Sequence, residues 1–287
     1  MRIVVTGGSG KLGRAVVADL VAHGHEVWNA DVAPPREPAG RFTRVDLTDF
    51  GQVYELLRGI DEGWEKVDGV VHLAAIPGPA QAPNAALFAN NIQGSYNVFA
   101  AARHAGIRNI VWASSETLLG LPFDTPPPYA PLDEEYPVRP ETAYSLAKAL
   151  DEEMARHFCR WDPNLKMIGL RFSNVMEPSD YARFPSFDAD PLVRKWNLWG
   201  YIDARDGAQA VRLALEHDAT GMDDFIVANA DTVMTRSSAS LMAEIFPDVP
   251  IRKDLGEHET LLSIDKARRV LGYEPRHSWR EEIAPGT

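Results

Sequence analysis

Only one cysteine, Cys159, occurs in 287 residues. No intramolecular disulfide can form and no cysteine metal cluster is available, so the expected setting is reducing and cytoplasmic. No apolar run approaches the roughly 18 residues that a membrane-spanning helix needs, and no membrane partner is expected. Met1-Arg2 leads directly into a β-branched run, where no signal peptide is expected. No His/Asp/Glu grouping has metal-ligand spacing, so no metal is expected. Lys and Arg number 29 against 41 Asp and Glu, a net charge of −12. A nucleic-acid surface needs clustered cations, and this balance argues against one. There is no internal repeat and no low-complexity tract. With 45% hydrophobic and 24% charged residues, the composition is that of a soluble globular protein, long enough for one large or two modest domains.

What is present is organised around residues 3–31. Ile3-Val4-Val5-Thr6 enters a glycine turn, Gly7-Gly8-Ser9-Gly10-Lys11-Leu12-Gly13, an amphipathic run follows, and Glu26-Val27-Trp28-Asn29-Ala30-Asp31 ends on an acid. This is a strand–turn–helix–strand unit. Glycine allows the tight turn, lets backbone approach a pyrophosphate and lets the helix pack closely on the strand. The helix beginning near Lys11 offers free N–H groups to phosphates. Asp31, 24 positions after Gly7, stands where a Rossmann unit places the acid that takes the adenosine ribose hydroxyls. Its charge would repel a 2′-phosphate, which favours NAD over NADP.

Strands and helices then alternate. A loop at 32–38 precedes a strand at 41–45 ending in Asp46-Leu47, a carboxylate and an aliphatic surface suited to an adenine. A helix at 49–58, a strand at 67–75 running into Leu73-Ala74-Ala75, a helix at 84–104 and a strand at 107–113 ending on Ser114-Ser115-Glu116-Thr117 follow. Residues 120–140 hold seven prolines and read as a stiff loop, a candidate wall of the site. Further helices are expected at 141–160, 206–217, 237–246 and 263–271, with strands at 166–172 and 224–228 and an irregular 173–199. The pattern is α/β: a Rossmann-type doubly wound parallel sheet, with ligands bound beyond the carboxyl ends of its strands. The expected division is a dinucleotide-binding domain over 1–172, rejoined by 200–230, and a small substrate-binding subdomain from 173–199 and 231–287.

Tyr144-Ser145-Leu146-Ala147-Lys148 places a tyrosine and a lysine at i and i+4, on one helix face. A tyrosine of ordinary pKa near 10 is a poor base at neutral pH. A neighbouring ammonium and an oxidised nicotinamide favour the phenolate and bring it into working range. Lys148 could also hydrogen-bond the nicotinamide ribose, and Ser115 the substrate hydroxyl or carbonyl. His72 is expected to be structural. Trp196, Trp199 and Tyr201 are candidates equally for core and for sugar-stacking walls. The pairs Glu134-Glu135 and Glu152-Glu153 are expected on solvated faces.

Together, Thr6-Gly7-Gly8-Ser9-Gly10-Lys11-Leu12-Gly13, His72-Leu73-Ala74-Ala75, Asn91-Ile92-Gln93-Gly94, Ser114-Ser115 and Tyr144-x-x-x-Lys148 resemble the extended short-chain dehydrogenase/reductases, the NAD-dependent epimerase/dehydratase group. The likeness continues through Leu170-Arg171-Phe172-Ser173-Asn174, Tyr201-Ile202-Asp203-Ala204-Arg205-Asp206 and Lys266-Ala267-Arg268-Arg269-Val270-Leu271-Gly272-Tyr273-Glu274-Pro275. It implies a catalytic triad of Ser115, Tyr144 and Lys148 and hydride transfer between a sugar carbon and NAD. It also implies cofactor contacts from Gly7, Gly10, Lys11, Leu12, Asp31, Asp46, Leu47, Leu73, Ala75, Asn91, Tyr144 and Lys148. Relatives often form homodimers through the helices that carry Asn91 and Tyr144.

Departures narrow the activity. Leu118-Leu119-Gly120 replaces the Val-Tyr-Gly usual in nucleotide-sugar epimerases. Glu116-Thr117 gives one acid where dehydratases carry Asp-Glu, which argues against dehydration. Only 22 residues separate Pro178 from Tyr201, less than nucleotide-sugar enzymes devote to holding the nucleotide. Val175-Met176-Glu177-Pro178-Ser179-Asp180-Tyr181-Ala182-Arg183 is similar to uronate dehydrogenases, which oxidise free hexuronic acids at C1. There an arginine meets the substrate carboxylate, and Arg183 is the nearest match, able to make a bidentate pair. Glu116-Thr117 replaces their Asn-His, and an acid there would repel a uronate while accepting hydrogen bonds from neutral hydroxyls. The expected substrate shell is Glu116, Thr117, Asn174 and Arg183, around a free aldose or sugar acid. An epimerase that retains its NAD and a non-catalytic NAD(H) sensor are the alternatives.

Overall fold

The computed structural model describes residues 1–37, 39–59, 64 and 66–283; Pro38, at the end of the expected 32–38 loop, lies outside them. Strands β1 (Arg2–Thr6), β2 (Glu26–Asp31), β3 (Arg41–Arg44), β4 (Gly69–His72), β5 (Asn109–Ser115), β6 (Lys166–Phe172) and β9 (Gly221–Val227) form one sheet in the order β3-β2-β1-β4-β5-β6-β9. Every neighbouring pair is parallel. Two short strands, β7 (Val175–Met176) and β8 (Ile202–Asp203), pair separately.

A parallel sheet is covered by its crossover helices on both faces, so its strands are apolar throughout. Alternate side chains still go to opposite faces. Ile3, Val5, Val71 and Val111 enter one core with Val16 and Leu20 of α1 (Lys11–Ala22) and Val211 of α5 (Ala204–Glu216). Val4, Val70, Ile110 and Trp112 enter the other. They meet Val53 of α2 (Phe50–Leu57), Phe99 of α3 (Asn84–His104) and Phe158 of α4 (Ala143–Trp161). The chain is completed by α6 (Ser238–Ile245), α7 (Asp265–Leu271) and α8 (Trp279–Glu282).

Helix α3 and strand β6 fall where the sequence places them. Strand β5 runs two residues further than expected, so Ser115 is itself its last residue. Helix α4 starts at a capping box between Thr142 and Ser145, which sets Tyr144 in its first turn. The stretch 173–199 is not wholly irregular: besides β7 it holds two 3₁₀ segments, Pro178–Ala189 and Pro191–Asn197.

Two expectations are overturned. The proline-rich 120–140 loop contributes no residue to the large cleft described below. Leu121, Phe123, Tyr129, Ala130 and Leu132 are buried in the core instead. Leu132 donates its N–H to Leu261 O at 2.9 Å, and Ser263 donates to Leu132 O at 2.7 Å. Proline leaves few backbone donors, and those that remain dock on the C-terminal segment. The acidic pairs are not wholly solvated either. Glu134 accepts from the Ile226 N–H at 2.7 Å. Glu152 is buried and takes two bonds from Arg171, at 2.9 and 2.8 Å, and one from Ser114 Oγ at 2.7 Å. Arg171 also lies 3.1 Å from Asp224, so one buried network ties α4 to β5, β6 and β9.

Removing one partner of a buried ion pair strands the other charge, at a cost of about 3–5 kcal/mol. Arg171→Met should therefore lose that order of stability in urea unfolding. The double variant with Glu152→Leu should recover part of it, Asp224 being left without its cation.

Candidate active site

The carboxyl ends of β1, β2, β4, β5 and β6 open on one cleft of ≈ 740 Å³. At one end β1 turns through Gly7 (φ +74°) into α1. A Cβ on Gly7 would lie 2.5 Å from Ala74 N, and one on Gly13 2.1 Å from Gly7 O, so β4 and α1 approach as closely as only glycine permits. Gly10 caps α1 without a side-chain bond, leaving the helix N-terminus with its amides toward the cleft. Asp31 ends β2 and accepts from the Ser9 N–H at 3.0 Å and the Ala33 N–H at 3.2 Å. Asp46 accepts from Thr48 N and Oγ1 at 2.9 and 2.7 Å. Gly7, Gly10, Lys11, Leu12, Asp31, Asp46, Leu47, Leu73 and Ala75 all line the cleft. A long, apolar-walled slot with this amide cradle and a terminal carboxylate has the shape and donor set of a dinucleotide site.

Asn91 does not line it. Its side chain accepts from Ile76 N at 2.8 Å and donates to Ile76 O at 3.2 Å, pinning the chain after β4, while Asn90 and Gly94 face the cleft instead. A helix presents only one of two consecutive residues to a given side.

At the other end stand Ser115, Glu116, Thr117, Tyr144, Lys148, Ser173, Asn174 and Trp196. Lys148 is buried and donates to Ala113 O at 2.6 Å, which ties α4 to β5. Ser115 Oγ accepts from Thr117 N at 3.2 Å and from Thr117 Oγ1 at 3.0 Å. Glu116, 3% exposed, accepts from Ser173 Oγ at 2.6 Å and Asn197 Nδ2 at 3.2 Å. Desolvation pushes its carboxyl up to about 7, against the opposing pull of these two donors and of the Arg194 guanidinium. His72 is buried between Thr6 Oγ1 at 2.7 Å and Ser95 Oγ at 3.2 Å. Burial, and secondarily Lys148, holds it down to about 3; it stays neutral and packs.

Arg183 is not brought to the site. Its side chain is 65% exposed and pairs with Asp180 at 3.3 Å, because the 3₁₀ segment buries Tyr181 and Phe184 and turns Arg183 to solvent. The arginine behind this end is Arg194, which donates to Asn174 Oδ1 at 3.0 Å and Gly200 O at 2.9 Å and lies over the Trp196 ring. Sequence reasoning missed Arg194, Asn197 and Ser173, since nothing in a short aperiodic stretch marks which side chains turn inward. Trp199 and Tyr201 are core, each fully buried, while Trp196 faces the cleft.

The sequence profile of the NAD dependent epimerase/dehydratase family matches residues 3–228. The chain belongs to this family. It is an NAD-dependent enzyme of the short-chain dehydrogenase/reductase type. It is 31% identical to a UDP-glucose 4-epimerase of Lacticaseibacillus casei over 99% of this chain and 94% of the relative. It is 27% identical to an L-arabinose 1-dehydrogenase (NAD(P)(+)) of Haloferax volcanii over 96% of each chain. A uronate dehydrogenase of Pseudomonas syringae pv. tomato is 27% identical over 62% of each chain. Both dehydrogenases and epimerases are thus among the relatives, at identities that leave the specific activity open. No helix among the described residues is long and apolar enough to cross a membrane. No group of three or more His, Cys, Asp and Glu among them could hold a metal.

A carboxyl whose folded pKa is raised stabilises the native state at low pH and loses that contribution as pH rises toward the folded value. Glu116 should therefore cost stability progressively between its ordinary 4.5 and about 7. Measured as unfolding free energy, Glu116→Gln should gain on the parent chain across that window, by on the order of 3 kcal/mol.

Proposed function

We propose that this enzyme oxidises a free, uncharged aldose at C1 with NAD. The observation that carries the reading is the polar lining at the reacting end of the cleft, which offers hydrogen-bond acceptors and, among the described residues, no arginine. Glu116 stands beside Ser115 there. A carboxylate substrate calls for a bidentate cation. A neutral sugar calls for acceptors for its hydroxyls, which Glu116, Thr117 and Asn174 supply. The L-arabinose dehydrogenase, alike over nearly the full length, supports the same class. Tyr181, Phe184 and Trp199 fill the 178–201 stretch with core packing, which leaves it little to offer a nucleotide.

In this reading Ser115 Oγ holds the C1 hydroxyl and the Tyr144 phenolate takes its proton, with the Lys148 ammonium favouring the phenolate. The glycine turn, Asp31, Asp46 and Leu47 would hold NAD, which when bound would accept the hydride from C1, so that the sugar would leave as a lactone. Segment 173–199, which brings Ser173, Asn174, Val175 and Trp196 to the cleft, is the part that holds the sugar, packed against 231–283. The second reading is a UDP-sugar epimerase that retains its NAD; the 31% identity to one over nearly the whole chain favours it.

Mixing the protein with NAD and a panel of free aldoses, hexuronates and UDP-sugars separates the two. Steady NADH production is expected with an aldose, and Tyr144→Phe should lose at least about 100-fold in turnover while still binding NAD. Interconversion of UDP-sugars without net NADH would overturn the dehydrogenase. An active Tyr144→Phe would overturn the mechanism.

The homodimer we place on α3 and α4. Tyr96, Leu146, Leu150 and Trp161 are 48%, 44%, 38% and 49% exposed on these helices, more apolar surface than a solvated pair of helices needs. Light scattering should give twice the chain mass, and Leu146→Glu with Leu150→Glu should give the monomer. A monomeric parent chain would sink the assignment.

A further inference from the structure

Beside Lys148, and outside the lining of the cleft, lies a carboxyl that the chemistry above does not use. Asp151 follows Lys148 by three positions on α4, and its Oδ2 is 3.6 Å from the Lys148 Nζ. The Asp151 side chain is fully buried and that of Lys148 is 4% exposed. No hydrogen bond of ordinary length reaches either carboxylate oxygen of Asp151; the Ser95 hydroxyl and the Lys148 ammonium approach it more loosely. Asp151 does not line the cleft, so it meets neither substrate nor cofactor.

Few groups face it. On its own helix they are the Lys148 ammonium and the Glu152 carboxylate, the latter already bonded by Arg171. From α3 it faces Ser95, and behind Ser95 stands His72 of β4, 3.2 Å from the Ser95 Oγ and neutral. A buried carboxylate with only loose hydrogen-bond partners is costly, and an apolar residue would pack the same space more cheaply. Desolvation accordingly pushes Asp151 up to about 6 in spite of the opposing Lys148 charge. The largest interaction offsetting this cost is the field between Asp151 and Lys148, with the Ser95 hydroxyl a smaller one.

We propose that Asp151 is a positioning residue for proton transfer at Tyr144, acting through Lys148: its carboxylate holds the ammonium in place and offsets part of the field that the ammonium exerts on the phenolate. This rests on the reading in which Tyr144 is the base and Lys148 its neighbour cation. Asp151 itself exchanges no proton with the substrate. An ammonium alone favours the phenolate and makes it a weaker base; an ammonium paired with a carboxylate favours it less and keeps it more basic. The pair therefore sets the pH at which the enzyme begins to work. Once Asp151 is protonated, below about pH 6, the offset is gone.

The test uses the full chain saturated with NAD and two neutral replacements, Asp151→Asn and Asp151→Ser, each checked for native circular dichroism. The Tyr144 phenolate is titrated by ultraviolet difference absorbance against Tyr144→Phe, and kcat/KM is followed against pH. In either variant that folds, the phenolate midpoint and the acid limb of kcat/KM should both move down by about one pH unit. The difference from the parent chain should vanish below about pH 6. A purely structural role would lower stability and leave both midpoints in place. Unmoved midpoints, with Tyr144→Phe inactive, would overturn the role of Asp151 and leave the base assignment standing. An active Tyr144→Phe would instead remove the base assignment itself. Failure of both variants to fold would make Asp151 a structural residue and overturn the proposal as well.

Discussion

The bond from the buried Lys148 ammonium to the Ala113 carbonyl, 2.6 Å long, is the contact on which the reacting end of the cleft depends. It joins α4 to the end of β5, so that Tyr144, one helical turn earlier, and Ser115 line the same cleft. One turn further on, Glu152 repeats the connection through Ser114 and Arg171. Helix and strand are thus held at two levels by charged groups taken out of water. Such contacts are directional where apolar packing is not, which suits a site whose groups must be held to a fraction of an ångström.

Those contacts come at the expense of stability. Lys148, Asp151, Glu152, Arg171, Glu116 and Arg194 are all nearly or fully buried. Glu116 and Asp151 have their carboxyls raised by desolvation, and Arg194 is lowered to about 10 for the same reason. The cofactor end is built differently. There backbone amides at the start of α1 and the glycine contacts of β1 and β4 make the cradle, and few ionised groups are buried. Desolvated charge is therefore concentrated around Glu116 and Lys148 and backbone geometry shapes the other end, as the proposed proton transfer and phosphate binding would each require.

The fold was legible because its signals are local and repeated. Short apolar strands, helices of the right period and a glycine turn after β1 are written in consecutive residues, and long elements such as α3 and β6 leave little ambiguity. That Ser115, Tyr144 and Lys148 share one cleft was legible for a related reason: Tyr144 and Lys148 are spaced by one helical turn, and Ser115 sits at a strand end. The substrate shell was not. Arg183 seemed placed to meet a ligand, yet in the structure it faces water, and Arg194, Asn197 and Ser173 occupy the ground behind Glu116. A 3₁₀ stretch interrupted by proline has no stable period, so which side chains turn inward depends on what packs against it. The proline-rich 120–140 loop misled similarly, its composition marking stiffness without saying which surface it would cover.

By itself, then, the sequence determined the parallel sheet, the glycine turn at the head of α1 and the spacing of the tyrosine–lysine pair, because each is encoded by residues within one or two turns of one another. Tertiary structure alone decided that Glu116 is enclosed by Ser173 and Asn197, that Asn91 pins Ile76, that Glu152 is buried with Arg171 and that Asp151 is buried beside Lys148. Each of these joins segments distant in the chain or depends on burial, and the strength of a charge is set by the water removed from around it. No reading of neighbours along the chain supplies that quantity.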